Sequence, residues 1–290
     1  MKKILLLSLY ATFAFALEPL VNAQWLHKSI NDKNLIVIDV SDYELYQQGH
    51  IPKSINSPLS HWREKHGDFS LVKNQSAIQK EFQKLGIDKN SKVIVYSHHS
   101  NAKDILKASY IIWAMEYYGF KNSAILDGGL VAWRKIDGSI EDKDNTPAKD
   151  GTFTLKKDSS LIADMALVRN EIGKSNMLDA RPPQFYFGAQ RQNVLAKAGH
   201  IPKAKSYFWK YSFDGEYLKE KTLLRKMLVE GMGLNPEKST ITYCTGGLET
   251  SMNFFVLHRI LGFTNIRLYD ASMKEWANNK NTPMTLYKWE

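Results

Sequence analysis

Residues 49–54 read GHIPKS, and residues 199–204 read GHIPKA. Working outward from this pair, VIVYS at 93–97 returns as TITYC at 240–244, and YGFKNSAILDGGLVAW at 118–133 returns as LGFTNIRLYDASMKEW at 261–276. The order is the same both times, and the offset drifts only from 150 (His50 to His200) through 147 (Ser97 to Cys244) to 143 (Trp133 to Trp276), as small loop insertions produce. A period this long marks a duplicated domain, because solenoid units repeat every ~20–50 residues. Between the copies lies DGSIEDKDNTPAKDG at 137–151, polar and turn-rich, which reads as a linker. The chain therefore divides into a leader at 1–16, a first domain at 17–137, a linker region at 138–157 and a second domain at 158–290.

The leader, MKKILLLSLYATFAFA, has two lysines, a short apolar run and the small-residue pattern Ala14-Phe15-Ala16, the anatomy of a secretory signal peptide. Ile4 to Ala16 is shorter than the roughly 20 apolar residues a membrane span needs. A second small-residue site, Val21-Asn22-Ala23, offers another position for cleavage. Cleavage would leave a soluble, periplasmic protein that does not associate with membrane. The formal charge of +9 falls to +7 without Lys2 and Lys3, and the remaining basic residues are scattered. That distribution argues against nucleic acid and is compatible with small anionic substrates.

Each copy alternates strand and helix. LIVIDV (35–40) and KVIVYS (92–97) are β-rich apolar runs, and 102–118 carries apolar residues at helical spacing. NMLD (176–179), TITYC (240–244) and 250–261 are their counterparts. The alternation predicts an α/β fold with a parallel sheet covered by helices on both faces, and ligands bound beyond the carboxyl ends of the strands.

Cys244 is the one cysteine in 290 residues, so no disulfide within the chain can form. A buried thiol packing as a small hydrophobe, an intermolecular bridge and a reactive group are the three readings. Its place decides for reactivity: a strand ends there, Gly246 and Gly247 follow, and a helix begins. Such a loop turns its N–H groups inward and adds the positive end of a helix dipole, which predicts a lowered thiol pKa. The loop Thr245, Gly246, Gly247, Leu248, Glu249 and Thr250 would then supply donors to a bound anion. The first copy has Ser97 at this position and no glycine after it, so nucleophile and nest are missing together.

The duplicated α/β pattern, GHIP in each half, the Cys-x-x-Gly loop after TITY and the DGGxxxW and YDASMKEW stretches together resemble the tandem-domain rhodanese sulfurtransferases. The resemblance implies two rhodanese-like domains, each with a five-stranded parallel sheet, and an active site in the second domain at its interface with the first. It implies a sulfurtransferase that moves sulfane sulfur from an anionic donor to a thiol or cyanide acceptor through a Cys244 persulfide, with no metal or organic cofactor. Thiosulfate is the favoured donor, on the exported location. 3-Mercaptopyruvate, or a persulfide relay serving a thiol-reductant or sulfur-acceptor protein, are the alternatives. Arg181 matches the family's Asp-x-Arg arginine and Arg191 lies in a loop where relatives place substrate-binding arginines. Arg181 could instead close a structural salt bridge, and Arg191 could be a solvated charge.

Several departures bear on substrate. The Thr245-Gly246-Gly247 loop matches neither the cationic pattern of thiosulfate enzymes nor the Gly-Ser-Gly of mercaptopyruvate enzymes. Phe185 stands where a further arginine is expected, Asp42 where relatives often have tryptophan, and Glu249 would oppose an anion. Thr250 occupies the arginine position of a Cys-x5-Arg phosphatase loop, which removes the phosphate clamp. His50 and His200 read as turn elements because GHIP also occurs in the copy without a cysteine. Trp133 and Trp276 read as core anchors, and the adjacent His98 and His99 lack the i, i+4 spacing of a helical metal site.

Overall fold

The computed structural model describes residues 17–99 and 103–290; the leader at 1–16 lies outside the described residues. The first half contributes strands β1 (Leu20–Val21), β2 (Leu35–Asp39), β3 (Ile55–Asn56), β4 (Arg63–His66), β5 (Phe69–Val72), β6 (Lys92–Tyr96) and β7 (Ser123–Leu126). Its helices are α1 (Ala23–Ser29), α2 (Tyr43–Gln47), α3 (Gln75–Lys84), α4 (Asp104–Tyr117) and α5 (Gly129–Lys135). The second half has β8 (Asn176–Asp179), β9 (Lys205–Ser206), β10 (Phe213–Asp214), β11 (Tyr217–Leu218), β12 (Thr240–Tyr243) and β13 (Ile266–Leu268). With them come α6 (Met165–Glu171), α7 (Pro183–Phe187), α8 (Lys221–Arg225), α9 (Leu248–Phe255) and α10 (Ser272–Trp276). Among the described residues no helix is long and apolar enough to cross a membrane.

The two sheets are parallel and share one topology: β1-β7-β6-β2-β3 in the first half and β13-β12-β8-β9 in the second. The strand count differs from the expected five and five. Where β1 pairs with β7, the second half has only a single parallel bridge, Ile162 to Leu268. The reason is local: Asp164 caps α6 by accepting from Leu167 N–H, so the chain leaves extended geometry almost as soon as it enters the sheet. In the first half the equivalent cap, Asn22, comes after a two-residue strand.

The repeated GHIP stretch is a turn tied to the central strand. His50 and His200 are fully buried, and each bonds through Nδ1 to a tyrosine carbonyl, of Tyr46 at 2.9 Å and of Tyr186 at 2.8 Å, while stacking on that tyrosine's ring. The following isoleucine donates its N–H to the hydroxyl of the last strand residue, Ile51 to Tyr96 and Ile201 to Tyr243. The turn thus fixes the residue immediately before Ser97 in one half and Cys244 in the other. Trp133 and Trp276 are buried, each donating its indole N–H to a carbonyl a few residues on.

The halves share a core. α4 is buried along nearly its whole length because its first face covers the first sheet and its second meets α9. Small residues let the two helices approach closely, and Ser109 Oγ lies 2.7 Å from Ser251 Oγ at the contact. One apolar cluster runs from Ile38 and Val95 through Trp113 to Leu178, Cys244 and Phe254. Each fully buried large side chain in it contributes about 1.5–3 kcal/mol, so separating the halves would expose several such contributions.

Candidate active site

Strand β12 ends at Tyr243, and Cys244 starts the turn into α9. Gly247 caps that helix at φ +91, a left-handed conformation that a side chain disfavours. A Cβ there would also stand 2.2 Å from Asp270 Oδ1 and 2.9 Å from Arg63 Nη2, so glycine is required on both counts. The turn brings the Gly247 N–H to 3.2 Å from Cys244 Sγ, and the amides of Gly246 and Thr250 also act on the sulfur. The converging amides expected of this loop are present.

The expected lowering of the thiol pKa is not. Burial, with Cys244 only 1% exposed, and then the nearby charge of Glu249 push the thiol up to about 11; the amides of Thr250, Gly246 and Gly247 pull the other way and lose. Desolvation of the charged form outweighs a few oriented dipoles when water is excluded. Glu249 is itself raised, first by burial, although Lys103 Nζ stands 3.8 Å from its Oε1. Glu249 Oε2 and Thr250 Oγ1 are buried with no partner, two polar atoms of the loop able to meet a bound sulfur species.

The arginines proposed for substrate are otherwise engaged. Arg181, 1% exposed, forms a two-pronged pair with Asp179, Nη2 to Oδ2 at 2.6 Å and Nε to Oδ1 at 2.9 Å, and donates to the Gly199 carbonyl. This is the structural salt bridge that the Asp-x-Arg spacing allows. Arg191 is exposed and donates to the carbonyl of Leu195, within its own loop. Leu248 is half-buried, and Thr245 donates its hydroxyl to Gln192 Oε1 at 2.8 Å.

Three contributors were not found in the sequence. Arg63, on β4 of the first half, reaches across to the cysteine loop and donates through Nη2 to the Gly246 carbonyl at 2.7 Å and to Asp270 Oδ1 at 3.2 Å. Asp270, fully buried, also accepts from Val72 N–H and from Tyr110 Oη, both at 2.8 Å. A first-half cation therefore braces the second-half loop, close enough for its charge and that of Cys244 to interact. Ser272 is the third: its hydroxyl accepts from the Cys244 N–H at 3.1 Å and donates to the Tyr269 carbonyl at 2.6 Å. Its φ of +54 matches the +50 of Gly129, which occupies this place in the first copy. The serine keeps a glycine's conformation and adds an acceptor behind the cysteine. Only this last residue had a signal, the DGG to DAS change between the repeats.

The chain belongs to the rhodanese-like domain family, which matches it twice, at residues 22–136 and 164–279. A protein of Synechococcus elongatus, provisionally named a thiosulfate sulfurtransferase, is 28% identical over 264 residues, covering 87% of this chain and 81% of the relative. The sulfur carrier protein TtuD of Thermus thermophilus is 27% identical over 286 residues, 92% of this chain and 96% of its own. Among solved structures, an anaerobic ergothioneine biosynthesis enzyme from Chlorobium limicola, in complex with trimethyl histidine, superposes with a TM-score of 0.80 at 20% identity, covering 92% of this chain and 70% of that one. That likeness concerns the fold. The family and its relatives make the chain a sulfurtransferase of tandem rhodanese architecture.

Proposed function

We propose that Cys244 carries sulfur as a persulfide and that the donor is a sulfane-sulfur anion, thiosulfate first. The Cys244 thiolate attacks the outer sulfur of thiosulfate, the S–S bond breaks and sulfite leaves with the bonding pair. The persulfide's outer sulfur is then taken by cyanide, giving thiocyanate, or by a thiol, and the thiolate is regenerated. The observation that carries this reading is the convergence of the Gly246, Gly247 and Thr250 amides on the sulfur of the chain's single cysteine. These dipoles are oriented before reaction and stabilise negative charge on either sulfur without reorganising. An exported protein would meet thiosulfate and a thiol-reductant or sulfur-acceptor protein in the periplasm.

Intact-mass measurement after exposure to thiosulfate or mercaptopyruvate tests the step. One added sulfur is expected on the native protein and none on Cys244→Ser; addition to both would remove Cys244 from the mechanism. A second reading, a relay that holds persulfide for a partner, is favoured by the burial of Cys244 and by the pairing of Arg181 with Asp179, which leaves a dianionic donor without that clamp. Steady-state thiocyanate formation separates the two: many turnovers per protein indicate the enzyme, and a single sulfur equivalent retained until a partner protein is added indicates the relay.

A further inference from the structure

The Gly247 N–H that meets Cys244 Sγ at 3.2 Å and the Gly246 carbonyl that accepts from Arg63 Nη2 at 2.7 Å belong to one peptide group. A trans peptide points its oxygen and its hydrogen in opposite directions, so the guanidinium and the sulfur stand at its two ends. The resonance that keeps the group planar also links those ends electrically. A cation bonded to the oxygen draws electron density toward it and leaves the hydrogen more positive. Bonds linked in this way strengthen one another by about 10–30% each. Here the bond at the oxygen is charge-assisted, about twice as strong as a neutral one.

Arg63 is held in place for this contact. Its side chain is 11% exposed, Nη2 also donates to the Ser70 carbonyl at 2.6 Å, and the guanidinium lies 4.5 Å over the Tyr110 ring. The other charged groups that act on the sulfur are Glu249, in its own loop, and Arg181, just beyond β8. Arg181 gives its donors to Asp179 and to the Gly199 carbonyl. The Gly246 N–H also serves the sulfur, but the oxygen of its peptide, that of Thr245, receives a neutral donor, Lys274 N–H at 2.9 Å. The repeat makes the same distinction between the halves. The β10–β11 hairpin matches β4–β5, since Leu218 N–H donates to Asp127 as Val72 N–H donates to Asp270. Phe213 opens β10 where Arg63 opens β4, at the offset of 150 residues that separates His50 from His200. The cation thus belongs to the hairpin bonded to the cysteine loop, and an apolar ring replaces it in the copy whose partner half carries Ser97.

We propose that Arg63 is a positioning residue of the reaction: from the first half it polarises the Gly246–Gly247 peptide and so strengthens the Gly247 N–H against negative charge on Cys244 Sγ. The reactivity of the second-half sulfur then depends on the docking of the first half. This deepens the reading of Cys244 as the reacting group and rests on it.

The amide resonances of Gly246, Gly247 and Thr250 are followed by 15N-correlated NMR in the full chain. In Arg63→Gln the Gly247 proton should move upfield, as a weakened hydrogen bond does, and those of Gly246 and Thr250 should move far less. That variant leaves a buried carboxylate uncompensated, so Arg63→Gln combined with Asp270→Asn, a neutral pair, is measured beside it and should show the same displacement. Arg63→Lys keeps a cation at the Gly246 carbonyl and should recover most of the native shift. The rate at which iodoacetamide alkylates the chain's one cysteine at pH 8.5, read as intact mass, should fall about three- to tenfold in Arg63→Gln and be largely regained in Arg63→Lys. A Gly247 proton unmoved in the single and double variants, or the three amides moving together, would overturn the relay. Alkylation of Arg63→Gln at the native rate would do the same. Neither readout involves sulfur transfer, so a native protein that takes up no sulfur would count against the persulfide reading alone.

Discussion

Glu249 sets the acid-base problem of the site. It sits in the same loop as Cys244, 9% exposed, with one carboxylate oxygen unpartnered, and its charge is the second cause, after burial, that holds the thiol near 11. A thiol with so high a pKa is mostly protonated at neutral pH, so persulfide formation should rise with pH through the alkaline range. Replacing the carboxylate by an amide removes a like charge and keeps the shape. In Glu249→Gln the alkaline-rising limb of sulfur loading should therefore move to lower pH by about one unit, and loading at pH 7.5 should increase several-fold. A pH series of loading rates on the two proteins checks this, and coincident profiles would show that Glu249 does not act on the sulfur. The position of Cys244 at the head of an amide-lined turn was legible in the sequence because a strand, two glycines and a helix occur in order. The direction of its pKa was not: it depends on how completely the other half covers the loop, and that covering comes from residues far away in sequence.

At the scale of elements, the β4–β5 hairpin is the piece that pattern reading missed. Arg63–His66 and Phe69–Val72 alternate too weakly and are too short to stand out, yet they deliver Arg63 and the Val72 N–H to Asp270. The main strands were visible because they are apolar throughout, as buried parallel strands are, and α4 because its apolar residues recur over four turns. The hairpin's stability comes from what it touches on the other half, which no local pattern encodes. Burial pushes the Asp270 carboxyl up, and Arg63, Tyr110 and the Val72 amide counter it without fully restoring the ordinary value. Arg63→Gln removes the only cation bonded to Asp270 among the described residues and should cost about 3–5 kcal/mol, since a buried carboxylate is left uncompensated. Asp270→Asn in the same background should recover part of that loss, because the two residues act on one network. Urea unfolding midpoints of the single and double variants decide it; strictly additive losses would mean that the pair is not coupled. Sulfur loading should fall in Arg63→Gln as well, since Gly246 loses the bond that holds its carbonyl.

On the scale of the whole molecule, duplication was readable from GHIP and the two long repeats, and the structure explains why those stretches persist in both halves: each pins the end of a central strand through a buried histidine and a tyrosine hydroxyl. How the halves dock was not readable, because the docking surfaces have diverged. One such contact joins α4 to the π-helical segment Val256–Ile260 that continues α9, where His258 Nε2 lies 2.9 Å from Glu116 Oε1 and Arg259 Nη1 lies 3.6 Å from Glu116 Oε2. Burial pushes Glu116 up, but His258 and then Arg259 more than reverse it, leaving the carboxyl below 4.5. Burial likewise pushes His258 down, and Glu116 more than reverses it, leaving the imidazole above 6.5. The signs then set a window. The carboxylate's share of stability is present above pH 4.5 and is lost as pH falls through its lowered value. The imidazolium's share is complete below pH 6.5 and is lost as pH rises through its raised value. Both operate between about pH 4.5 and 6.5. Glu116→Gln should therefore be less stable than the native chain by about 1.5–3 kcal/mol near pH 5.5. The deficit should shrink, without vanishing, as pH rises from 5.5 toward 8.5 and the imidazolium gives up its proton, while the Arg259 contact remains. Melting temperatures of the two proteins across that range test the coupling, and a deficit independent of pH would assign the docking contact to packing and Arg259 alone.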